Sequence, residues 1–369
     1  ITQHSWMFLS SFEKLREKMM LTETVNMAHL GARAFEEIGG EVVQTTAFVM
    51  QNYHTKGYKG VYARLIEPTT QQGKEEMFLA ETNRYTAQQD NFSKIPGAPV
   101  AYWASESIVH SFENPTIQDI EPPRFGMSTS DNNRFVRAWH EVSYDKMAIP
   151  NKKEEQVCHD KKWYPYNNGG EFRRWYGDNC DIVNWENEGA EIKAFGRAAI
   201  RNKDFYYRSG ITWTAISSSK ISVRAFNCGF LFSSAGFCIF EKELRNHILA
   251  LMNNKVGEAI LAILSPTLNY NVGDIARIPV VYSKRNAIAI DSSVNQCIEL
   301  SEGDWDSYET SWDFKRHPII RNKQSNALWG DPTPEDFERN GSIQLSYGAW
   351  QLICEGRFQQ LKKNEEELN

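Results

Sequence analysis

Apolar residues open the chain at a spacing of three, at Trp6, Leu9, Phe12 and Leu15, which predicts a first helix. The pattern then shortens. Glu23–Met27 reads as a short strand. The segment from Glu41 to Met50 is rich in β-branched residues and follows the breaker Gly39-Gly40, so it reads as another. Gly60–Ile66 is a third strand, and the Gly- and Lys-containing loop before it predicts a hairpin with the second. Residues 68–123 are mixed: Glu81–Phe92 is polar, Ile95–Trp103 brings the chain into a strand, and Pro122-Pro123 punctuates it. Short strands recur at Ile211–Ile216, Ile221–Phe226 and Gly236–Phe240, separated by Ser and Gly turns. Leu244 to Leu264 carries an apolar helical pattern broken near Asn253-Asn254, and from Asp304 a polar, Trp-containing spacer leads to helices. The chain begins at Ile1 without Met and ends in Phe358–Asn369, a helical pattern with no stop signal, so it reads as a piece of something longer. No internal repeat or low-complexity tract interrupts it.

Composition narrows the class. At 369 residues there is room for two or three domains, and 41% hydrophobic with 24% charged residues is ordinary for a soluble globular protein. No apolar run approaches the roughly 20 residues that span a bilayer and no signal peptide is visible, so a cytoplasmic chain with no membrane partner is expected. The six cysteines lack C-x-x-C pairs, and the Cys158-His159 neighbours have no second pair to complete a zinc site. Reduced, structural cysteines and no metal are expected. The eight histidines are dispersed, with none beside a Ser or Cys in a nucleophile motif.

Charge is distributed unevenly. The net charge is −6, yet between Lys193 and Arg224 seven bases face the single acid Asp204, while residues 301–369 hold thirteen acids against eight bases. A basic segment in an acidic chain either follows a phosphate backbone or is an ordinary solvated surface. The stretch Gly126–Val142 raises the same choice. It opens with Gly126 and short polar side chains and passes into a strand that alternates Phe135, Arg137 and Trp139. Gly and Asn favour tight turns whose amides and hydroxyls meet a phosphate at close range, and Arg134 and Arg137 add charge nearby; the same composition also makes a plain polar turn.

Longer strings break the tie. Ser5–Arg16, Asn26–Val49, Gly126–Val142, Asp181–Asn187, Ser265–Val280 and Ser311–Pro318, in that order, resemble the PglX family, the adenine-specific DNA methyltransferases of BREX phage-resistance systems. The likeness runs to the closing Asn364–Asn369. It implies an α/β fold class: the terminal part of a Rossmann-like methyltransferase sheet over residues 1–67, a connector over 68–123, a β-rich target recognition domain over 124–300, and a helical C-terminal spacer over 301–369. It also implies double-stranded DNA and other BREX components as partners, and S-adenosyl-L-methionine as cofactor of the parent protein. DNA-contacting candidates form two groups. The first is Thr129, Asp131, Asn132, Asn133, Arg134 and Arg137. The second is Lys193, Arg197, Tyr206, Tyr207, Arg208, Ser217, Ser218, Lys220 and Arg224.

The chemistry of adenine N6 methylation needs a glycine-bearing turn for the cofactor and an Asn/Asp-Pro-Pro-aromatic loop for the amine. Neither motif occurs here; the nearest string, Glu121-Pro-Pro-Arg124, lacks both the amide and the aromatic. No catalytic residue and no bound cofactor are therefore expected in this chain alone. One pocket residue is implied by the family: Leu30-Gly-Ala-Arg-Ala-Phe35 fits a pattern whose aromatic lines one face of the flipped adenine, making Phe35 a candidate wall. Otherwise Phe35 packs in the core of a short helix. Two further readings stand beside the leading one. A type II restriction enzyme with fused methyltransferase and nuclease is related chemistry. A stand-alone DNA specificity subunit has none, and its usual repeated layout is missing here.

Overall fold

The computed structural model describes residues 1–35, 38, 43–149, 160–216, 220–266, 269–321 and 343–369. The chain folds into two compact units. The first comprises Ile1–Ile120 with Ala259–Thr267 and Gly273–Val281; the second comprises Glu121–Glu258, Leu268–Val272 and Tyr282–Asn369.

A five-stranded sheet organises the first unit. Its strands are β1 (Thr2–Gln3), β2 (Glu23–Gly31), β3 (Thr45–Gln51), β4 (Lys59–Arg64) and β5 (Arg84–Gln88), ordered β1-β3-β2-β4-β5. β2 lies at the centre because its Thr, Val and Met side chains suit a pleated surface and most of its positions are shielded. β3 runs antiparallel along one edge of β2, and β4 runs parallel along the other. The expected hairpin between β3 and β4 is therefore wrong. Their connection, residues 52–58, is too long for a tight turn and spans the two strand spacings, about 10 Å, needed to step over β2. β5 pairs antiparallel with β4, so the sheet continues past residue 67 into the stretch expected to be a connector.

The opening helix also differs from expectation. Two short 3-10 turns, His4–Met7 and Ser10–Phe12, precede an α-helix at Glu13–Met19. The buried Arg16 guanidinium donates to the carbonyls of Trp6 and Leu9, both at 2.8 Å, and to that of Gly97, so it satisfies groups that a continuous helix would have paired internally. Residues 95–103 form no strand, since Pro96 and Pro99 cannot donate to a ladder, but Val100 and Tyr102 still join the core around Trp6, Met7, Met27, Tyr62 and Phe92.

The second unit is β-rich, as expected. β6 (Val136–Ala138), β7 (Trp163–Asn167), β8 (Asp181–Asn184) and β11 (Leu231–Phe232) make one sheet, ordered β11-β7-β8-β6. β9 (Gly210–Thr214), β10 (Val223–Phe226) and β12 (Gly236–Ile239) make an antiparallel second, ordered β10-β9-β12. These last three match the strands read from the sequence. The strand expected through Phe135 and Trp139 shrinks to β6 alone: Phe135 closes a one-turn helix, Asn132–Phe135, and Trp139 opens a 3-10 turn. Phe135 is wholly buried with Met127, Tyr164, Val183, Trp185 and Phe232. The predicted break at Asn253-Asn254 is present between helices Arg245–Asn253 and Lys255–Leu264. The Asn253 amide accepts from the Val223 N–H and donates to its carbonyl, so it replaces a missing strand along β10. The helices Lys284–Trp305 and Ile343–Leu368 follow. Among the described residues no single helix is long and apolar enough to cross a membrane.

Candidate nucleic-acid interface

Gly126 begins the site because nothing larger fits. Its N–H donates to the Ser233 carbonyl at 2.8 Å, and a Cβ at this position would stand 1.8 Å from the Phe232 carbonyl oxygen. From that anchor Ser128 exchanges both backbone hydrogen bonds with Ala199, each 2.9 Å. Ser130, held at φ +61°, donates its hydroxyl to the Arg197 carbonyl at 2.7 Å. Two candidate groups separated by more than sixty positions in sequence thus meet at one seam.

The polar side chains of this turn are spent mainly on holding it. Thr129 is buried and donates to the Asn132 side-chain oxygen, while accepting from the Asp131 N–H. Asp131 caps the short helix by accepting from the Arg134 N–H at 3.1 Å. Asn132 and Asn133 remain exposed. A recess of about 330 Å³ opens beside the turn, lined by Ser128, Ser130, Asp131, Asn132, Asn168 and Ser234 among others.

Arg134 is exposed and forms a two-nitrogen pair with Glu191, at 2.9 and 3.2 Å. The hydrogen bond from Arg134 holds the Glu191 carboxyl below its ordinary range. Arg137 is half-buried and donates to the carbonyls of Asn133 and Val136. Lys193, Arg197, Arg201, Lys203 and Arg208 all face solvent. Lys193 lies 5.6 Å from the Trp185 ring, Arg208 4.7 Å from Phe205 and Arg201 5.2 Å from Phe125, so aromatic faces back several of these cations. Lys203 pairs with Glu188 and Lys220 with Glu258, each at 2.6 Å.

Three candidates do not fit a DNA-contacting role. Arg224 is 3% exposed; it donates to the carbonyls of Gly169 and Glu171 at 3.1 Å and lies 3.4 Å from Asp178, so it pins the 169–178 loop from beneath. Burial lowers its pKa and raises that of Asp178 to about 6. Tyr206 is buried in the core, and Thr129 is buried in the turn. Tyr207 is half-buried beside Tyr164. Ser217 and Ser218 lie outside the described residues. Phe35 is 43% exposed, so its ring is not packed away in a core. Arg201, Asn168 and Ser234 were not singled out from sequence. Arg201 belonged to the basic run, but nothing in the sequence places Asn168 or Ser234 beside residue 130.

No family model matches the chain. The adenine-specific methyltransferase PglX of Lacticaseibacillus casei (strain Zhang) is 40% identical over the whole chain. The adenine-specific methyltransferase BrxX of Escherichia coli O9:H4 (strain HS) is 35% identical, again over the whole chain. The chain spans 31% and 29% of their lengths, about a third of each. Among solved structures, the type IIL restriction-modification enzyme MmeI in complex with DNA superimposes with a TM-score of 0.49 at 10% identity, covering 99% of this chain and 49% of that one. From its first residue to its last, the chain is related to one segment of the PglX family of adenine-specific methyltransferases.

Proposed function

We propose that this chain supplies target recognition to a site-specific DNA adenine N6-methyltransferase of a BREX phage-defence system. The observation that carries the reading is the end-to-end match to two proteins named as adenine-specific methyltransferases. In the parent protein S-adenosyl-L-methionine donates the methyl group, and other BREX components are partners in a cytoplasmic setting. The residues of this chain bind and position the duplex. Residues 1–67 continue the methyltransferase domain, and Phe35 stacks on the displaced adenine, recovering part of the unstacking energy.

In the β-rich unit the five solvent-facing cations from Lys193 to Arg208 follow the phosphates, which sets register without reading sequence. The exposed amide of Asn133 has the donor–acceptor pair that matches an adenine edge; the Asn132 oxygen already accepts from Thr129, and Asn132 offers its amide N–H beside it on the same bonded turn. Arg134 is held by Glu191 at the same turn, ready to exchange a carboxylate for a phosphate.

Arg197, Arg201 and Arg208 test the reading together, since none supports the core. Their triple replacement by Ala is expected to weaken duplex binding and lower the slope of log K against log salt by about 2 to 3. The melting temperature should not change. Titration of a labelled duplex at several salt concentrations measures this, and an unaltered slope rules out the cationic run as the interface.

A further inference from the structure

A second site lies away from the polar turn, within the β-rich unit and its helices. The segment Phe172–Trp175 and the helices Lys284–Trp305 and Ile343–Leu368 enclose a cavity of about 460 Å³. That volume is within the range of small-molecule pockets. Its rim carries three aromatic rings that a folded chain would ordinarily cover: Phe172 is 54% exposed, Tyr308 43% and Phe358 60%. Trp175 lies buried against it, with its indole N–H donated to Glu365 at 2.7 Å.

The charges in this cavity are unevenly paired. Arg173 is neutralised by Asp304, and Arg174 lies between Glu258 at 2.9 Å and Glu365 at 3.7 Å. Arg357 is different. Among the described residues its one hydrogen bond is a long one, 3.4 Å to the Gly303 carbonyl, and no carboxylate there pairs with it. The cavity therefore offers flat apolar faces, one cation available to an anion, and two carboxylates with acceptor capacity left over.

We propose that this cavity binds a purine nucleotide. The base stacks on the exposed rings, as bases do on aromatic platforms. Its phosphate meets Arg357, whose planar fork suits phosphate oxygens. Asp304 or Glu365 accepts from the exocyclic amino group. An apolar peptide segment would use the rings but not the free cation, and a bare anion would use the cation but not the rings. The same chemistry has two sources, a free nucleotide and a nucleotide within a DNA strand.

The test is photolabelling of the intact protein with 8-azido-ATP, followed by peptide mapping. AMP, adenosine and a short oligo(dA) serve as competitors. Location is the main readout, because a methyltransferase has other places for an adenine. Label is expected on peptides containing Tyr308, Trp350 or Phe358. AMP should compete at least about tenfold better than adenosine, the worth of a charge-assisted contact. Arg357→Gln should erase that preference, and Phe358→Ala should cut labelling about tenfold, the worth of one stacked base. Both side chains lie at the surface of the groove, and an unchanged melting temperature confirms that the variants fold. Stronger competition by oligo(dA) than by AMP, with AMP still ahead of adenosine, assigns the source to DNA. Label confined to other peptides, equal competition by adenosine and AMP, or indifference to both substitutions overturns the proposal.

Discussion

His29 sits near the C-terminal end of β2 with both ring nitrogens engaged, one 2.8 Å from His4 and the other 3.0 Å from the Tyr102 hydroxyl. Burial, then the neighbouring His4, holds its pKa down at about 3. The sign follows from linkage. An imidazole kept neutral in the fold contributes stability that is fully present above its unfolded pKa near 6.5 and is lost as pH falls toward 3. Denaturant unfolding measured from pH 7 to pH 4 should therefore show falling stability, and His29→Asn should flatten that slope while lowering stability at pH 7. A slope unchanged by the substitution would remove His29 as its source. None of this was legible beforehand: eight scattered histidines look alike in sequence, and only pairing with residues 25 and 73 positions away distinguishes this one. Arg224 teaches the same lesson in reverse. It lay in a run of bases and looked like a surface cation, yet the neighbouring strands enclose it and turn it into a loop anchor.

At the scale of elements, the turn Gly126–Asn133 depends on backbone fit more than on charge. Gly126→Ala would drive a methyl group into the Phe232 carbonyl, so the backbone bonds to Phe232 and Ser233 must yield. The expected result is a lower melting temperature and weaker duplex binding with no change in net charge. Ser130→Ala removes only the bond to the Arg197 carbonyl and should cost about 1 kcal/mol. Comparing the two by thermal melts and duplex titration separates loss of the turn from loss of one seam contact. Equal effects would mean that the glycine is not the anchor. Short strands with β-branched or aromatic runs, β9, β10 and β12, were readable because alternation and Ser/Gly breaks are local signals. The order of β3, β2 and β4 was not, because a seven-residue connection permits either a long hairpin or a step across a neighbour, and only the shielding of β2 on both edges decides.

For the whole molecule, the prediction concerns modularity. If the segment 124–300 reads DNA for the parent enzyme, exchanging it for the corresponding segment of a relative should change which sequence is methylated while leaving adenine N6 as the target atom. Sequencing of host DNA for modified adenines measures this directly, and an unchanged site sequence would place recognition elsewhere. The two compact units divide at residue 120, close to the boundary read at 123, and the first reclaims two short stretches from beyond residue 258. Such returns are invisible to a scan along the chain, since a boundary is a property of contacts and not of composition. What the sequence determined alone was the α/β character, the β-rich middle, the broken helix at Asn253-Asn254 and the kinship with PglX-type proteins, because strings, periods and breakers are local and survive without a third dimension. Only the tertiary structure decided which cations face solvent, that Ser130 meets Arg197, and that Arg357 stands beside three uncovered rings. Burial and pairing between distant positions are set by packing, and no local pattern encodes them.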